Sequence, residues 1–384
     1  MAGAAPAAAR EARWRILQVP PCPRAPGRPV LGETRRTSMS AAPSTEHPVV
    51  PASLATWLSD ALGDPGPFAL ARLSGGNSNE TLLLTSDRGR WIMRRPPQAA
   101  IAPSAHNMER EHRMLVALAG TGVPAPAPAA VCADHDVPGA PFLVMEAVDG
   151  HSLTTELPPG YAPDAATASR IGEATIDALA ALHSVDWRAR GLEGFGRPDG
   201  FLDRQVPRWS TQLERYRHRE LPHFDELATW LSEHLPPAGE PGILHGDFHL
   251  DNVLLTPAPE IRAAAIIDWE MATIGDPLLD LGLFLAFWGP DRPDRPALAK
   301  VQAVTRVPGV VSRRALAERY AARSGRSVEH LDWYLAFGFW KLAAIIEGAY
   351  AQYVDGRLTS DYAAGLEHDV PALLREAAAF ARIA

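Results

Sequence analysis

The run His245-Gly246-Asp247-Phe248-His249-Leu250-Asp251-Asn252 concentrates side chains that can move protons or bind cations. It lies between two short apolar runs, Ile243–Leu244 and Val253–Leu255, so its polar groups belong on a loop held at both ends. Further on, Ile266-Ile267 delivers Asp268 at the end of another apolar strand. Phosphoryl transfer needs a base or orienter for the attacking hydroxyl and oxygen ligands for magnesium. One Asp, a following Asn and a second Asp on a neighbouring strand meet that requirement. Magnesium prefers hard oxygen donors and keeps several waters, so one or two protein oxygens per ion suffice. A different chemistry competes for the same residues. His245, Asp247, His249, Asp251 and Asp268 include the ligand types of a zinc or two-metal hydrolase. Such sites usually draw on further His or Asp ligands downstream, and the apolar strand ending in Asp268 suits phosphoryl transfer better.

The elements that must position these groups follow from periodicity and turn residues. Ala52–Leu62 has the period of a short amphipathic helix. Ala69–Leu84 and Arg90–Arg94 predict strands about a glycine-containing turn, with Asp87-Arg88-Gly89 closing a hairpin. Residues 104–119 predict a helix that ends at Gly120–Gly122, ahead of a Pro-rich connector. Pro141–Val148 reads as a short apolar strand. Beyond Gly150 the pattern turns helical, over Ala165–His183, Arg204–Arg219, Phe224–His234, Pro277–Phe287, Arg313–Ser324 and Leu331–Val354. Short strands interrupt it at Ile243–Leu244, Val253–Leu255 and Ala263–Ile267. The expected organisation is a strand-rich domain over 52–146 and a helix-rich one over 147–384. The aromatic stripe Trp333, Tyr334, Phe337, Phe339, Trp340 belongs to a core. His183, ending its helix, packs or caps. Lys341 and Glu347 either face an acceptor or pair on a surface.

Composition limits the function classes. The hydrophobic fraction of 46% supports a packed core. A formal net charge of -8 gives no global attraction to nucleic acid or anionic membrane. No stretch is long and apolar enough to span a bilayer, and two cysteines with no metal or redox spacing suit a reduced, cytoplasmic setting. Among 37 basic residues only Lys300 and Lys341 are lysines. Residues 1–48, rich in Ala, Pro and Arg without sustained period, read as a disordered tail. A transit peptide or a true start at Met39 are the alternatives.

HGDFHLDN followed by IIDWE resembles the catalytic and metal-binding loops of the aminoglycoside phosphotransferase and choline kinase-like families. These are relatives of protein kinases that phosphorylate small molecules. The resemblance covers roughly residues 52–360. It implies an α+β, protein-kinase-like fold with a small antiparallel-sheet N-lobe and a larger, mainly helical C-lobe. It also implies Asp247 as catalytic base, Asn252 and Asp268 as Mg2+ ligands, and His245 and Gly246 as holders of the loop's shape. Ser74–Asn79 lies where such families cover the phosphates of ATP or GTP. There Gly75 and Gly76 let the backbone approach phosphate and Ser78 adds a hydroxyl donor. No GK[ST] occurs, so this is not a Walker A loop. Trp91–Arg94 corresponds to the strand that usually presents a Lys. Arg94 stands in that place, Arg95 falls on the opposite strand face, and Glu111 is the expected partner. Arg can bind phosphate bidentately, though its planar fork differs from a compact ammonium. Phe142–Val148 resembles the lobe linker, where adenine is read by main-chain atoms of Glu146 and Val148. Asp276-Pro277 is a helix start, and Asp280 resembles the buried carboxylate that braces the catalytic loop.

GGNSNETLLL, WIMRRPP, HGDFHLDNVL and FWKLAAIIEGAYAQY look closest to the kinase-like domain fused to, or encoded beside, acyl-CoA dehydrogenases. That resemblance implies a small-molecule hydroxyl acceptor, a hydroxyacyl-CoA or hydroxy acid ahead of an aminoglycoside. Polycationic sugars want a carboxylate-lined pocket, whereas Glu347, Asp355, Asp361 and Glu367 are spread along the chain. A catalytically idle nucleotide-binding module is the other reading. The Arg94 replacement favours it, and the intact base and metal ligands oppose it.

Overall fold

The chain is described by a computed structural model over residues 50–73, 79–96, 108–133, 141–153, 156–289 and 302–383. They fall into two compact units, the first reaching Val116 and including Ala127–Ala147, the second taking Ala117–Pro126 and Val148 onward. The N-terminal 48 residues and the glycine turn at 74–78 lie outside the described residues.

In the first unit, helix α1 (Ala52–Leu62) precedes strands β1 (Ala69–Arg72), β2 (Glu80–Thr85) and β3 (Arg90–Arg95). Helix α2 (Met108–Leu118) and strands β4 (Pro128–Cys132) and β5 (Phe142–Glu146) complete it. The five strands form one antiparallel sheet in the order β1-β2-β3-β5-β4. Alternation along the strands sends Leu82, Leu84, Met93, Phe142 and Val144 into one core with Leu54 and Leu58 of α1. The same alternation turns Arg94 to the other face, opposite Thr81 on β2 and Leu143 on β5. Strand β4 lies where the sequence predicts only a Pro-rich connector. It is an edge strand with Pro128 as its first residue, the position at which a missing N–H costs no ladder bond.

The second unit is mainly helical. It contains α3 (Ala165–His183), α4 (Gln205–Glu214), α5 (Phe224–Glu233), strand β6 (Gly242–Leu244), β7 (Val253–Leu255), β8 (Ala263–Ile266) and β9 (Thr273–Gly275). Helices α6 (Leu278–Phe287), α7 (Arg313–Ser324), α8 (Leu331–Val354) and α9 (Asp361–Ala381) follow. Strands β6 and β9 pair antiparallel, as do β7 and β8. Side-chain caps mark helix starts: Asp164 accepts from Thr167 N at 2.7 Å, and Ser312 from Ala315 N at 3.1 Å. Trp333, Tyr334, Phe337, Phe339 and Trp340 are all buried, so the aromatic stripe of α8 is core. Helices α6 and α8 meet backbone to backbone. A Cβ on Gly282 would stand 2.4 Å from the Tyr334 carbonyl oxygen, which only glycine avoids.

Two helices differ from expectation. Helix α4 stops at Glu214 rather than reaching Arg219, whose side chain instead leaves to bind Glu347. Helix α9 lies outside the sequence-based expectation, and Pro371 sits in its interior, where proline normally breaks the hydrogen-bond ladder. The carbonyl of Glu367, four residues back, has lost its helical donor and accepts from Arg219 Nη1 at 3.0 Å. Among the described residues no helix is long and apolar enough to cross a membrane.

Candidate active site

The HGDFHLDN segment runs from the end of β6 into a 3-10 turn at Leu250–Asn252 that leads to β7. Its shape is set by backbone donors meeting one buried carboxylate. Asp280, in the first turn of α6, accepts from His245 N at 2.6 Å and from Gly246 N at 2.9 Å. Gly246 adopts φ 87°, and a Cβ there would lie 2.6 Å from the Met271 carbonyl oxygen, so this bend needs glycine. His245 Nε2 lies 2.9 Å from the Ile267 carbonyl, to which it donates. Asn252 Nδ2 donates to the Asp247 carbonyl at 2.9 Å, and the Asn252 carbonyl accepts from Ile267 N at 2.9 Å. These bonds tie the segments carrying Asp247, Asn252 and Asp268 into one framework.

Asp268 follows β8 with φ 68° and ψ 65°, left-handed backbone that Asp tolerates better than most residues. Holding a non-glycine residue there costs on the order of 1 kcal/mol. The Asp247 side chain is 52% exposed at the loop's apex. Burial of its surroundings works to raise its pKa, but the bond from His249 and the charges of His249, His245 and Lys341 outweigh that and hold it well below the usual carboxylate range. His249 lies 3.4 Å from Asp247 and 3.9 Å from Asp251. Burial opposes its charge, yet the two carboxylates push it up to about 10.

These donor sets bear on a metal. With its Nδ2 committed to Asp247, Asn252 offers its amide oxygen, and Asp268 offers a carboxylate, both hard ligands that suit magnesium. A zinc cage fits poorly. His245 Nε2 is engaged by the Ile267 carbonyl, and among the described residues no three His, Cys, Asp or Glu side chains form a metal-ligating group.

Asp280 is itself held by residues that the sequence reading left as packing or did not single out. His183 Nε2–H faces Asp280 Oδ2 at 3.4 Å, while His183 Nδ1 lies 2.7 Å from the Tyr320 hydroxyl. Burial is the main force lowering the His183 pKa, partly offset by Asp280. Burial also raises that of Tyr320. The neutral chain Tyr320 O–H to His183 and His183 N–H to Asp280 then satisfies every group. Asp276 caps α6 through Leu278 N at 3.0 Å and accepts from the Tyr334 hydroxyl at 2.8 Å. Lys341 Nζ, on α8, donates to the Gly246 carbonyl at 3.2 Å. Glu347 pairs instead with Arg219, so Lys341 and Glu347 do not pair with each other. No local pattern marks His183 or Tyr320 as support for Asp280, because the contacts run across 137 and 97 positions of sequence.

In the first unit, Arg94 Nη1 donates to Glu111 Oε1, both side chains being buried. Arg95 bonds Glu80 across the strand pair at 2.6 Å. Gly75, Gly76 and Ser78 lie outside the described residues. Glu146 N donates to the Ala127 carbonyl at 2.9 Å and its carboxylate accepts from Ala127 N at 3.2 Å. Val148 follows β5 with no regular structure.

The model of the phosphotransferase enzyme family, APH, matches residues 69–322. The chain belongs to this family. Acyl-CoA dehydrogenase family member 11 of Gallus gallus is 33% identical over 304 residues, covering 77% of this chain and 38% of that protein. The Homo sapiens protein of the same name is 34% identical over 299 residues, with 77% and 37% covered. The chain thus spans under two-fifths of the curated relatives it matches. A solved structure from Ralstonia eutropha, provisionally classed as an aminoglycoside phosphotransferase, superposes with TM-score 0.73 at 31% identity, covering 86% of this chain and 97% of that one. Choline kinase from Cryptosporidium parvum, at 11% identity and TM-score 0.58 over 84% of this chain and 94% of its own, shares the kinase-like fold.

Proposed function

We propose that this phosphotransferase moves the γ-phosphoryl group of ATP to a hydroxyl of a small acidic metabolite, a hydroxyacyl-CoA or hydroxy acid. One observation carries the reading. A half-exposed carboxylate, Asp247, stays ionised at the apex of a loop whose backbone is pinned by the buried Asp280. A base so fixed can accept a hydroxyl proton without first reorganising.

In this reading residues 52–146 serve the nucleotide, with Gly75, Gly76 and Ser78 over its phosphates and Arg94, steadied by Glu111, as their cationic clamp. Main-chain atoms of Glu146 and Val148 meet the adenine. Residues 147–384 supply the base and the acceptor site. Asn252 and Asp268 hold Mg2+, which when bound neutralises charge on the phosphates. Asp247 orients the acceptor hydroxyl and takes its proton, and Asn252 keeps the Asp247 backbone in place. Asp276 and Asp280 act on the loop's position rather than on substrate. The acyl-CoA dehydrogenase names of the relatives support an acceptor from acyl-CoA chemistry.

The test is a screen of hydroxy acids, their CoA esters and aminoglycosides for ADP formation, repeated with Asp247→Ala. Wild type should consume ATP with at least one acceptor, and the variant should lose at least 100-fold while folding normally. An Asp247→Ala protein with full activity would end the assignment.

A further inference from the structure

Lys341 is one of only two lysines in the chain and projects from α8 beside the Asp247 loop. Its single hydrogen bond, to the Gly246 carbonyl at 3.2 Å, leaves two ammonium hydrogens without an acceptor among the described residues. No carboxylate among them lies at ion-pair distance. Trp209 of α4 lies beneath it, with Nζ 5.2 Å from the ring centroid. Arg208 approaches the same ring at 5.3 Å and likewise has no ion-pair partner among the described residues. The Trp209 indole N–H is buried without an acceptor there too. Two cations and an indole N–H thus share one aromatic platform, and none has an anion. Withdrawing an ammonium from water is costly without a counter-charge. Burial accordingly pulls the lysine pKa down, and only the more remote charges of Asp247 and Asp280 pull it back.

We propose that Lys341, supported by Arg208 across Trp209, seats an oxyanion of the acceptor, its carboxylate or phosphate ester, while the acceptor hydroxyl meets Asp247. This rests on the phosphotransfer reading above and specifies the acceptor's charge. A cationic acceptor such as an amino sugar or choline would meet like charge at this place, and a neutral polyol would leave it unpaired. The same cations could instead bind the transferring phosphoryl group, and the experiment separates these two sources.

The scarcity of lysine makes the test direct. Acetic anhydride labelling of the full wild-type chain, read by peptide mass spectrometry, reports Lys341 apart from Lys300 without any substitution. Saturating 3-hydroxybutyrate or its CoA ester should slow Lys341 labelling several-fold. Butane-1,3-diol, choline and magnesium with a non-hydrolysable ATP analogue should not. In turnover, Lys341→Gln should raise the KM for the acidic acceptor about tenfold or more, the loss of one charge-assisted hydrogen bond. The KM for ATP should stay the same, and Lys341→Arg should recover part of the loss. Unchanged labelling with both acidic probes overturns the proposal. So does protection by the nucleotide analogue alone, which assigns the cation to the phosphoryl group, or preferred turnover of a cationic acceptor. Selective protection without ADP formation from any acceptor would uphold the anion seat and overturn the phosphotransfer reading.

Discussion

The imidazole of His183 is fully buried between Tyr320 and Asp280, the carboxylate that braces the Asp247 loop. Burial holds its pKa below the ordinary value of 6.5, whereas the unfolded chain takes up a proton near that value. Below pH 6.5 the unfolded state therefore binds more protons, and stability falls as pH falls toward the folded pKa. Asp280 is shifted down: burial opposes this, but the bonds from His183 and the loop backbone prevail. Its contribution is present above 3.8 and lost as pH drops through its folded value, so it acts in the same sense at lower pH. The melting temperature should decline from pH 6.5 to 5, by at most about 1.4 kcal/mol per pH unit from this one histidine, and should also fall above neutral pH, where the unfolded chain gives up the proton that His249 keeps. His183→Gln should flatten the acid-side decline, and an unchanged slope there in a pH series of the variant would count against the relay. The grouping of the loop's polar residues was legible because Asp247 and Asn252 are near neighbours in sequence and Asp268 closes the next strand. The relay was not, since Tyr320 and His183 are 137 positions apart and a lone helix-end histidine reads as a cap.

At the scale of elements, Arg219 compensates for the proline inside α9. Its guanidinium binds both Glu347 oxygens on α8, at 2.8 and 2.7 Å, and the Glu367 carbonyl that Pro371 leaves without a donor. Glu347 is wholly buried, with the His218 imidazole a further 3.8 Å contact. Arg219→Ala strands a buried carboxylate and a helix carbonyl together, and should cost about 3–5 kcal/mol. Arg219→Met combined with Glu347→Leu removes both charges and should lose distinctly less, a comparison that urea unfolding can make. The same arrangement explains why α9 escaped sequence reading while α3, α7 and α8 did not. Those three carry unbroken helical patterns, with Asp164 and Ser312 as side-chain caps and Gly325 in left-handed conformation after α7. In α9 the interior Pro371 announces a break that only a distant arginine makes tolerable. Strand β4 was hidden in the same way, because proline in a strand is tolerated only where an edge spares its missing donor.

Across the whole molecule, tertiary ties override the order of the chain. Ala117–Pro126 belong to the second unit although they lie between strands of the first, held in part by Ile266 N donating to the Pro124 carbonyl at 2.7 Å. Its glycines and prolines mark a connector but not the unit to which it belongs. Ligand binding adds to the stability of the whole chain with the logarithm of ligand concentration over the dissociation constant, about 2.7 kcal/mol at a hundredfold excess. For magnesium and ATP together this predicts a melting rise on the order of 5 °C in differential scanning calorimetry. Magnesium alone should give little of it, because two protein oxygens make a weak site without the phosphates. Asp268→Gly discriminates the sources of stability. Glycine relieves the left-handed backbone at φ 68°, while loss of the carboxylate's own contacts acts the other way, so the ligand-free chain should melt close to wild type. The metal-dependent part of the rise should nevertheless vanish, together with turnover. A variant that keeps the full increment with magnesium would place the metal elsewhere than Asp268. One that melts well below wild type without ligand would mean that this carboxylate supports the fold rather than the metal.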